Sequence, residues 1–270
     1  MDSRVQAVKA HLLEMDTALK DLAQDRMAAA PHETYDTYLT RLNDLAATPV
    51  REDQVRALMT DAQLQSALPR LSRFKRRNGL RLEIACAKSL ISGSDPWDHL
   101  QRFVYYVNYL TLARMEYQGA GLHAQDRVIF LGSGPLPLSL ICLWKHYGIE
   151  GVGIEQDRSR ARLSTAVIRK LGLEHQIRVI CGNHFALSTA PPCNLIMVGA
   201  DARPKSEIFS HLAEILEPGR MISYRVYEKG LRRLFDAAAV LDLPPQFREC
   251  GRVRPQPPVN NTCVFAVRTP

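Results

Sequence analysis

The stretch Val128-Ile-Phe-Leu-Gly-Ser-Gly-Pro-Leu-Pro-Leu-Ser139 carries residue types suited to holding a nucleotide-like ligand. An apolar run, Val128 to Leu131, enters Gly132-Ser133-Gly134 and leaves as an apolar segment from Leu136 to Trp144. Strand, glycine turn and helix in that order let backbone without Cβ atoms approach a ligand closely. Pro137 stands where a dinucleotide fingerprint has its third glycine, which argues against a nicotinamide dinucleotide and for a smaller adenosyl ligand cradled by Gly132, Ser133, Gly134, Pro135 and Leu136. The next β-type run ends Glu155-Gln156-Asp157. A carboxylate there can accept both ribose hydroxyls, and Glu155 is the candidate, with Gln156 beside it and Asp157 suited to capping the following helix. A third run ends Cys181-Gly-Asn183-His184. Asn183 could meet an adenine amino group with His184 alongside, or could simply close a loop turn. A fourth run ends Gly199-Ala200-Asp201, small residues where a ligand must pass close. Together these features point to S-adenosylmethionine (SAM), and a generic methyltransferase is the default reading.

Two kinds of element must position these residues. Residues 1 to about 120 carry helical periodicity and almost no strand signal. Val5, Val8, Leu12, Met15, Leu19 and Leu22 recur at three- and four-residue spacings, an amphipathic helix. Further helices are expected near 33–46, 51–63 and 80–92. Asp95-Pro96 opens another, with Asp95 as N-cap, running from about Trp97 to Tyr117. After residue 121 short β-type runs alternate with helices. The runs are Val128–Leu131, Gly151–Glu155, Ile177–Cys181, Leu195–Val198, Met221–Val226 and Thr262–Val267, with helices at 136–146, 157–172, 205–216 and 229–240. The expectation is an α/β protein: an all-helical N-terminal domain (1–120, supplying lid and catalytic helices) and a Rossmann-like, doubly wound SAM-binding domain (121–270). Arg254-Pro-Gln-Pro-Pro-Val reads as a stiff, extended connection.

Composition narrows the classes. The chain has no run of 18 apolar residues, and its first residues are charged and amphipathic, unlike a secretory leader. Cys86, Cys142, Cys181, Cys193, Cys250 and Cys263 form no C-x-x-C pair and mostly sit in apolar segments, the pattern of free thiols in a reducing cytoplasm. The histidines, His146, His184 and His211 among them, lack metal-ligand spacing, so no metal is expected. The formal net charge is +7, and its densest cluster is Arg70 to Arg81. That cluster admits a non-catalytic nucleic-acid-binding protein as a reading of another class, though few aromatics interleave with it and a solvated helix surface is the favoured reading.

A methyltransferase leaves two segments unexplained. Gly132 to Ser139 resembles the glycine-proline turn of nicotianamine synthases. Asp95-Pro-Trp-Asp-His-Leu-Gln-Arg-Phe-Val-Tyr105-Tyr106-Val-Asn108-Tyr109 resembles their N-P-x-D-H-L-x-x-F-x-Y-Y-x-N-Y motif. Leu80-Arg-Leu-Glu83 matches the family's upstream L-E segment at the same distance from the last tyrosine, and Pro258-Val-Asn-Asn261 resembles a V-N-S near its C-terminus. The likeness covers roughly residues 80–270, and residues 1–79 match only as helical.

The resemblance implies transfer of the 3-amino-3-carboxypropyl (aminobutyrate) arm of SAM to an amine, with release of methylthioadenosine. At 270 residues the chain is similar to bacterial members that perform one transfer onto histidine for opine metallophores such as staphylopine, pseudopaline and yersinopine. L-histidine is then the favoured acceptor over D-histidine, a downstream opine dehydrogenase consumes the product, and a homodimer is the assembly such relatives often adopt. Neither nucleic acid nor membrane is an implied partner. The resemblance makes Glu83 the base that neutralises the acceptor, its apolar neighbours Leu82, Ile84, Ala85 and Cys86 desolvating it. Tyr109 becomes its partner and Tyr106 a catalytic and substrate contact. Tyr105, Asn108 and Arg225 join Tyr106 around the substrate. The backbone N–H groups near Ser133 and Gly134 are candidates for the methionine carboxylate. His99 reads as a structural hydrogen-bonding residue.

Overall fold

The structure, a computed structural model, describes residues 3–24, 32–236, 243–256 and 259–270. The side chain of Leu22, the end of the helix expected at 229–240, and Pro257 and Pro258 lie outside the described residues. The chain forms two compact units, Met1–Gly79 with Tyr227–Val240, and Leu80–Val226 with Leu241–Pro270.

The first unit is helical: α1 (Ser3–Gln24), α2 (His32–Ala47), α3 (Glu52–Met59) and α4 (Ala62–Ser92) up to Gly79, with a 3-10 segment at Gly230–Phe235. The apolar stripe of α1 is buried through Val5, Val8, Leu12, Met15 and Leu19, and Leu39, Leu42, Leu58, Leu68 and Leu71 of the same unit are buried as well. Buried Asp16 on α1 accepts Arg70 Nε at 2.6 Å and Nη2 at 3.0 Å. Lys75 donates to the Tyr227 hydroxyl at 2.9 Å and lies over its ring. Two of the clustered cations are thus committed inside the unit. The segment expected as a separate helix at 80–92 is the C-terminal part of the 31-residue α4, which continues through Pro69.

The second unit is built on a seven-stranded sheet in the order β3-β2-β1-β4-β5-β7-β6. Strands β1 (Arg127–Leu131), β2 (Glu150–Glu155), β3 (Ile177–Cys181), β4 (Leu195–Val198) and β5 (Met221–Val226) are parallel. β7 (Thr262–Arg268) runs antiparallel to β5, and β6 (Phe247–Val253) antiparallel to β7. β1 and β4 are buried nearly end to end, as strands covered on both faces must be. The order reverses between β1 and β4, and at such a switch point the strand carboxyl ends open a crevice. Register aligns those ends: Leu131 pairs with Ile154 and Val198, and Glu155 with Cys181. The loops after β1, β2, β3 and β4 therefore emerge side by side.

Three departures from expectation matter. The helix expected from Trp97 to Tyr117 is two, α5 (Pro96–Gln101) and α6 (Tyr106–Gly119). Between them Phe103 turns into the core while Val104 is 70% exposed, and the aromatic and β-branched residues there favour helix weakly. Asp95 does cap α5, accepting the Asp98 N–H at 3.0 Å. The helix after the glycine turn, α7 (Leu138–Tyr147), starts two residues late because Pro135 and Pro137 delay it. β6 was not expected at all. It is the edge strand beside β7, while α8 (Arg158–Lys170) connects β2 to β3 and α9 (Lys205–Ile215) connects β4 to β5. Among the described residues no helix is long and apolar enough to cross a membrane.

Candidate active site

The turn after β1 needs its glycines. Gly132 and Gly134 take φ +79° and +72°, the left-handed region that side chains resist. A methyl group on Gly132 would lie 3.1 Å from Ala202 Cβ, and one on Gly134 only 3.3 Å from Glu83 Oε2. The turn is tied down by Gly132 N–H to Ile154 O at 2.9 Å, and by Ser133 N–H to the same carbonyl at 3.3 Å. Gly134 donates its N–H to Glu155 Oε2 at 3.0 Å. The N–H groups expected to receive a methionine carboxylate are therefore engaged with the protein, because the turn folds back on the end of β2. Buried Ser133 leaves its Oγ without a hydrogen-bond partner, packed where a Cβ on Gly153 would lie 2.7 Å away.

Glu155 lies at the carboxyl end of β2, only 4% exposed. Besides Gly134, it accepts the Asp157 N–H at 2.9 Å and pairs with Arg160 Nη2 at 3.1 Å. Asp157 caps α8 through the Arg160 N–H. Gln156 is exposed beside them. After β3, Asn183 Oδ1 accepts the Phe185 N–H at 3.1 Å and so closes the loop turn. His184 is turned inward, its ring against Phe185 and His211, and burial lowers its pKa. Buried Gly199 donates to Leu131 O, and half-buried Ala200 leads to Asp201.

Glu83 meets this turn from α4, and its partner comes from α6. The Tyr109 hydroxyl donates to Glu83 Oε1 at 2.6 Å, leaving Oε2 on the side of Gly134. Glu83 as a whole is half-buried, but its carboxyl is desolvated, and that desolvation is the main cause that pushes its pKa up to about 7. The Tyr109 hydrogen bond opposes that rise, Asp201 and Glu155 add to it through their negative charge, and Arg160 opposes it. A carboxyl that titrates near neutrality, beside a ligand turn, has the character of a general base.

The remaining expected residues are spread out. Tyr106 is buried in the core with Leu100, Phe103 and Ala113, and burial raises its pKa. Half-buried Tyr105 stands at the N-cap position of α6 without a side-chain capping bond, its ring edge-on to Phe103, and Asn108 is half-buried on the first turn. Arg225 was expected to offer charge to a substrate. Its Nε and Nη2 instead bind Glu116 at 2.8 and 2.7 Å, and Nη2 also binds Ser139 Oγ at 2.8 Å. His99 packs against Gly93, with Nδ1 3.5 Å from Ser89 Oγ. Sequence reasoning passed over Asp201 and Arg160, which act on Glu83 and Glu155. Asp201 ends the small-residue run after β4, and Arg160 stands on the first turn after the Asp157 cap, and both positions border the ligand turn. Among the described residues no cluster of three or more His, Cys, Asp or Glu groups could hold a metal.

A family model described as "Nicotianamine synthase protein" matches residues 1–270. The chain belongs to the nicotianamine synthase family. It is similar to Nicotianamine synthase 1 of Hordeum vulgare, 31% identical over 151 residues covering 54% of this chain and 45% of that protein. Against Nicotianamine synthase-like 5 protein of Hordeum vulgare it is 28% identical over 225 residues, 79% of this chain and 78% of that one. The matched region spans about half the length of the first barley and rice synthases. Among solved structures, MtNAS in complex with MTA and tNA superposes with a TM-score of 0.91 at 27% identity, covering 97% of this chain and 98% of that chain. A glutamate-to-glutamine mutant of MtNAS in complex with SAM gives 0.85 at 26%, covering 98% and 97%. In the nicotianamine synthase family, then, structural neighbours of this chain bind SAM. Two glycines at positive φ, an unpartnered buried hydroxyl at Ser133 and the Glu155 carboxylate are residues suited to an adenosyl ligand.

Proposed function

We propose that this protein transfers the 3-amino-3-carboxypropyl arm of SAM to the amine of histidine, L-histidine above D-histidine, releasing methylthioadenosine. The product is a metal-binding amine for a metallophore, consumed by a reductive opine-forming dehydrogenase. The observation that carries the transfer is the 2.6 Å hydrogen bond from Tyr109 to a Glu83 carboxyl with pKa about 7, whose other oxygen faces Gly134. The histidine acceptor and the metallophore role rest on the resemblance of residues 80–270 to bacterial members of the family.

An acceptor amine is an ammonium at neutral pH and has no lone pair until it loses a proton. Its pKa is roughly 8, so an ordinary carboxylate near 4.5 would take that proton at a cost of about 5 kcal/mol, whereas Glu83 takes it for about 1–2 kcal/mol. Tyr109 holds Oε1, which leaves Oε2 to accept the proton on the side of the glycine turn. SAM supplies an activated Cγ–S bond when bound. The freed nitrogen forms the new N–C bond in line behind it, the bonding pair leaves with sulfur, and the sulfonium becomes a neutral thioether. Glu83 keeps the proton until solvent removes it. Gly132–Leu136, Glu155, Gln156, Asn183, His184, Gly199 and Ala200 form the adenosyl side of this assignment, and Tyr105 and Asn108 the acceptor side, with core-buried Tyr106 packed behind them.

The test is mass spectrometry of products formed from SAM labelled in the carboxypropyl arm or in the methyl group, with each histidine enantiomer and with none. Methylthioadenosine and a labelled-arm adduct of one enantiomer are expected. Methyl transfer with S-adenosylhomocysteine would replace this reading with a methyltransferase. Glu83→Gln should lower kcat about 100- to 10,000-fold while SAM still binds. Wild-type activity should rise with pH through about 7, because the base works only when deprotonated.

A further inference from the structure

Behind Tyr109 lies a fully buried polar cluster that the proposed chemistry does not use. Arg225 on β5 is 4% exposed, and Glu116 on α6 and Ser139 on α7 are each 1% exposed. The Arg225 guanidinium grips both Glu116 oxygens as a fork, binds Ser139 Oγ through Nη2, and lies over the Phe130 ring of β1 with its Cζ 5.0 Å from the centroid. Four elements of one unit meet at a single side chain.

The placement of the partners is what matters. Glu116 follows Tyr109 by seven residues on α6, two turns along the same helix face. Ser139 stands on the first turn of α7, directly after the glycine turn that opens at Gly132. Arg225 pairs in register with Cys263 of β7, and its charge is felt by Tyr109 as well as Glu116. A buried ion pair is a poor stabiliser, since removing two charges from water offsets most of their attraction, and an apolar pair of similar volume often serves folding equally well. What such a pair does supply is direction, because a bidentate fork tolerates little rotation.

We propose that the Glu116–Arg225–Ser139 cluster is a positioning device for catalysis, which locks the Tyr109-bearing face of α6 to the helix that follows the glycine turn and so fixes the Tyr109 hydroxyl on Glu83. Arg225 and Glu116 are positioning residues, not substrate contacts. The proposal rests on Glu83 being the base.

The readout is the Glu83 carboxyl itself, followed by carbon-13 NMR titration of glutamate-labelled protein and assigned by its loss in Glu83→Gln. Glu83 is faced by Tyr109, Asp201, Glu155, Arg160 and Cys86. Of these, Tyr109 donates the hydrogen bond that holds its pKa down, so Tyr109→Phe should move the titration upward. Three further variants should move it the same way. Arg225→Lys keeps the charge without the fork, Ser139→Ala removes the tie to α7, and the double variant Glu116→Leu/Arg225→Met replaces the pair by apolar groups that folding accepts. In turnover, Arg225→Lys should lower kcat about 10-fold or more with little change in the KM for SAM, a misplacement effect. A Glu83 titration unchanged in Ser139→Ala and in whichever of the other two variants folds overturns the proposal, as does wild-type kcat in the double variant. The titration needs no substrate, so it stands or falls separately from the transfer reaction: product analysis showing methyl transfer with a shifted Glu83 titration would sink the proposed reaction and keep the clamp.

Discussion

Glu83, the proposed base, has a thermodynamic signature of its own. Its folded pKa of about 7 lies above the ordinary 4.5 of an unfolded chain, so between those values the folded protein holds a proton that the unfolded chain releases. Stability contributed by this group is therefore full below about 4.5, falls as pH rises, and has become a net penalty above about 7. Glu83→Gln cannot ionise and should be more stable than wild type at pH 8, by roughly 1–3 kcal/mol once partial exposure is discounted, with the difference vanishing at pH 4. Denaturation at the two pH values checks this, and a stability loss at pH 8 would mean that Glu83 is ionised there without strain. Residue type alone would not have found this group. Glu83 lies in an ordinary helical pattern, and its burial depends on Tyr109, Gly134 and Asp201, which come from other parts of the chain. The motif spacing led to it where periodicity could not. Arg225 shows the opposite failure: a cation on a strand end looks available in sequence, and only the fold reveals Glu116 across from it.

Elements that owe their existence to a continuous local pattern were legible. β1, β4 and β5 are near-continuous buried runs, and β7 has Thr262 to Ala266 buried in succession. β6 was not, because most of Phe247–Val253 is exposed and a bulge between Glu249 and Gly251 breaks the alternation that marks a one-faced strand. Its partner β7 makes it a strand. The glycine turn was legible as an element, but the direction of its N–H groups was not, since that depends on Glu155 at the end of β2. Two alanine substitutions separate backbone strain from position. Gly134→Ala and Gly172→Ala both place a side chain at positive φ, +72° and +70°, at a cost of about 1–2 kcal/mol. Only the first puts a methyl group against Glu83 Oε2, and nothing lies within 4 Å of the second. Both should lose comparable stability, while Gly134→Ala alone should lose most of its turnover. Equal retention of kcat in the two variants would detach the glycine turn from the carboxyl proposed as the base.

The net charge of +7 belongs to the whole chain, and part of its densest basic cluster is engaged internally: Arg70 pairs with Asp16, and Lys75 donates to the Tyr227 hydroxyl, within one helical unit. Long-range order in the other unit depends on β7. β7 is inserted between β5 and β6, so residues that come last in sequence are interior to the sheet. Phe265 of β7 is 1% exposed and packs with Leu112 and Met115 of α6, the helix that carries Tyr109 and Glu116. Its ring occupies the space that a side chain at Gly119 would need, where an added Cβ would lie 2.3 Å from it. Gly119 at the end of α6 and Phe265 of β7 are thus one fitted contact that holds α6 on the sheet. Phe265→Ala should cost about 3–5 kcal/mol through lost burial and the cavity left behind, seen as a lower denaturation midpoint with an unchanged m-value. Because the cavity lies under α6, turnover should fall more in Phe265→Ala than in Leu68→Ala, a comparably buried truncation in the helical unit. Equal turnover in the two truncations, at temperatures where both are folded, would show that the seat of α6 on β7 contributes stability alone.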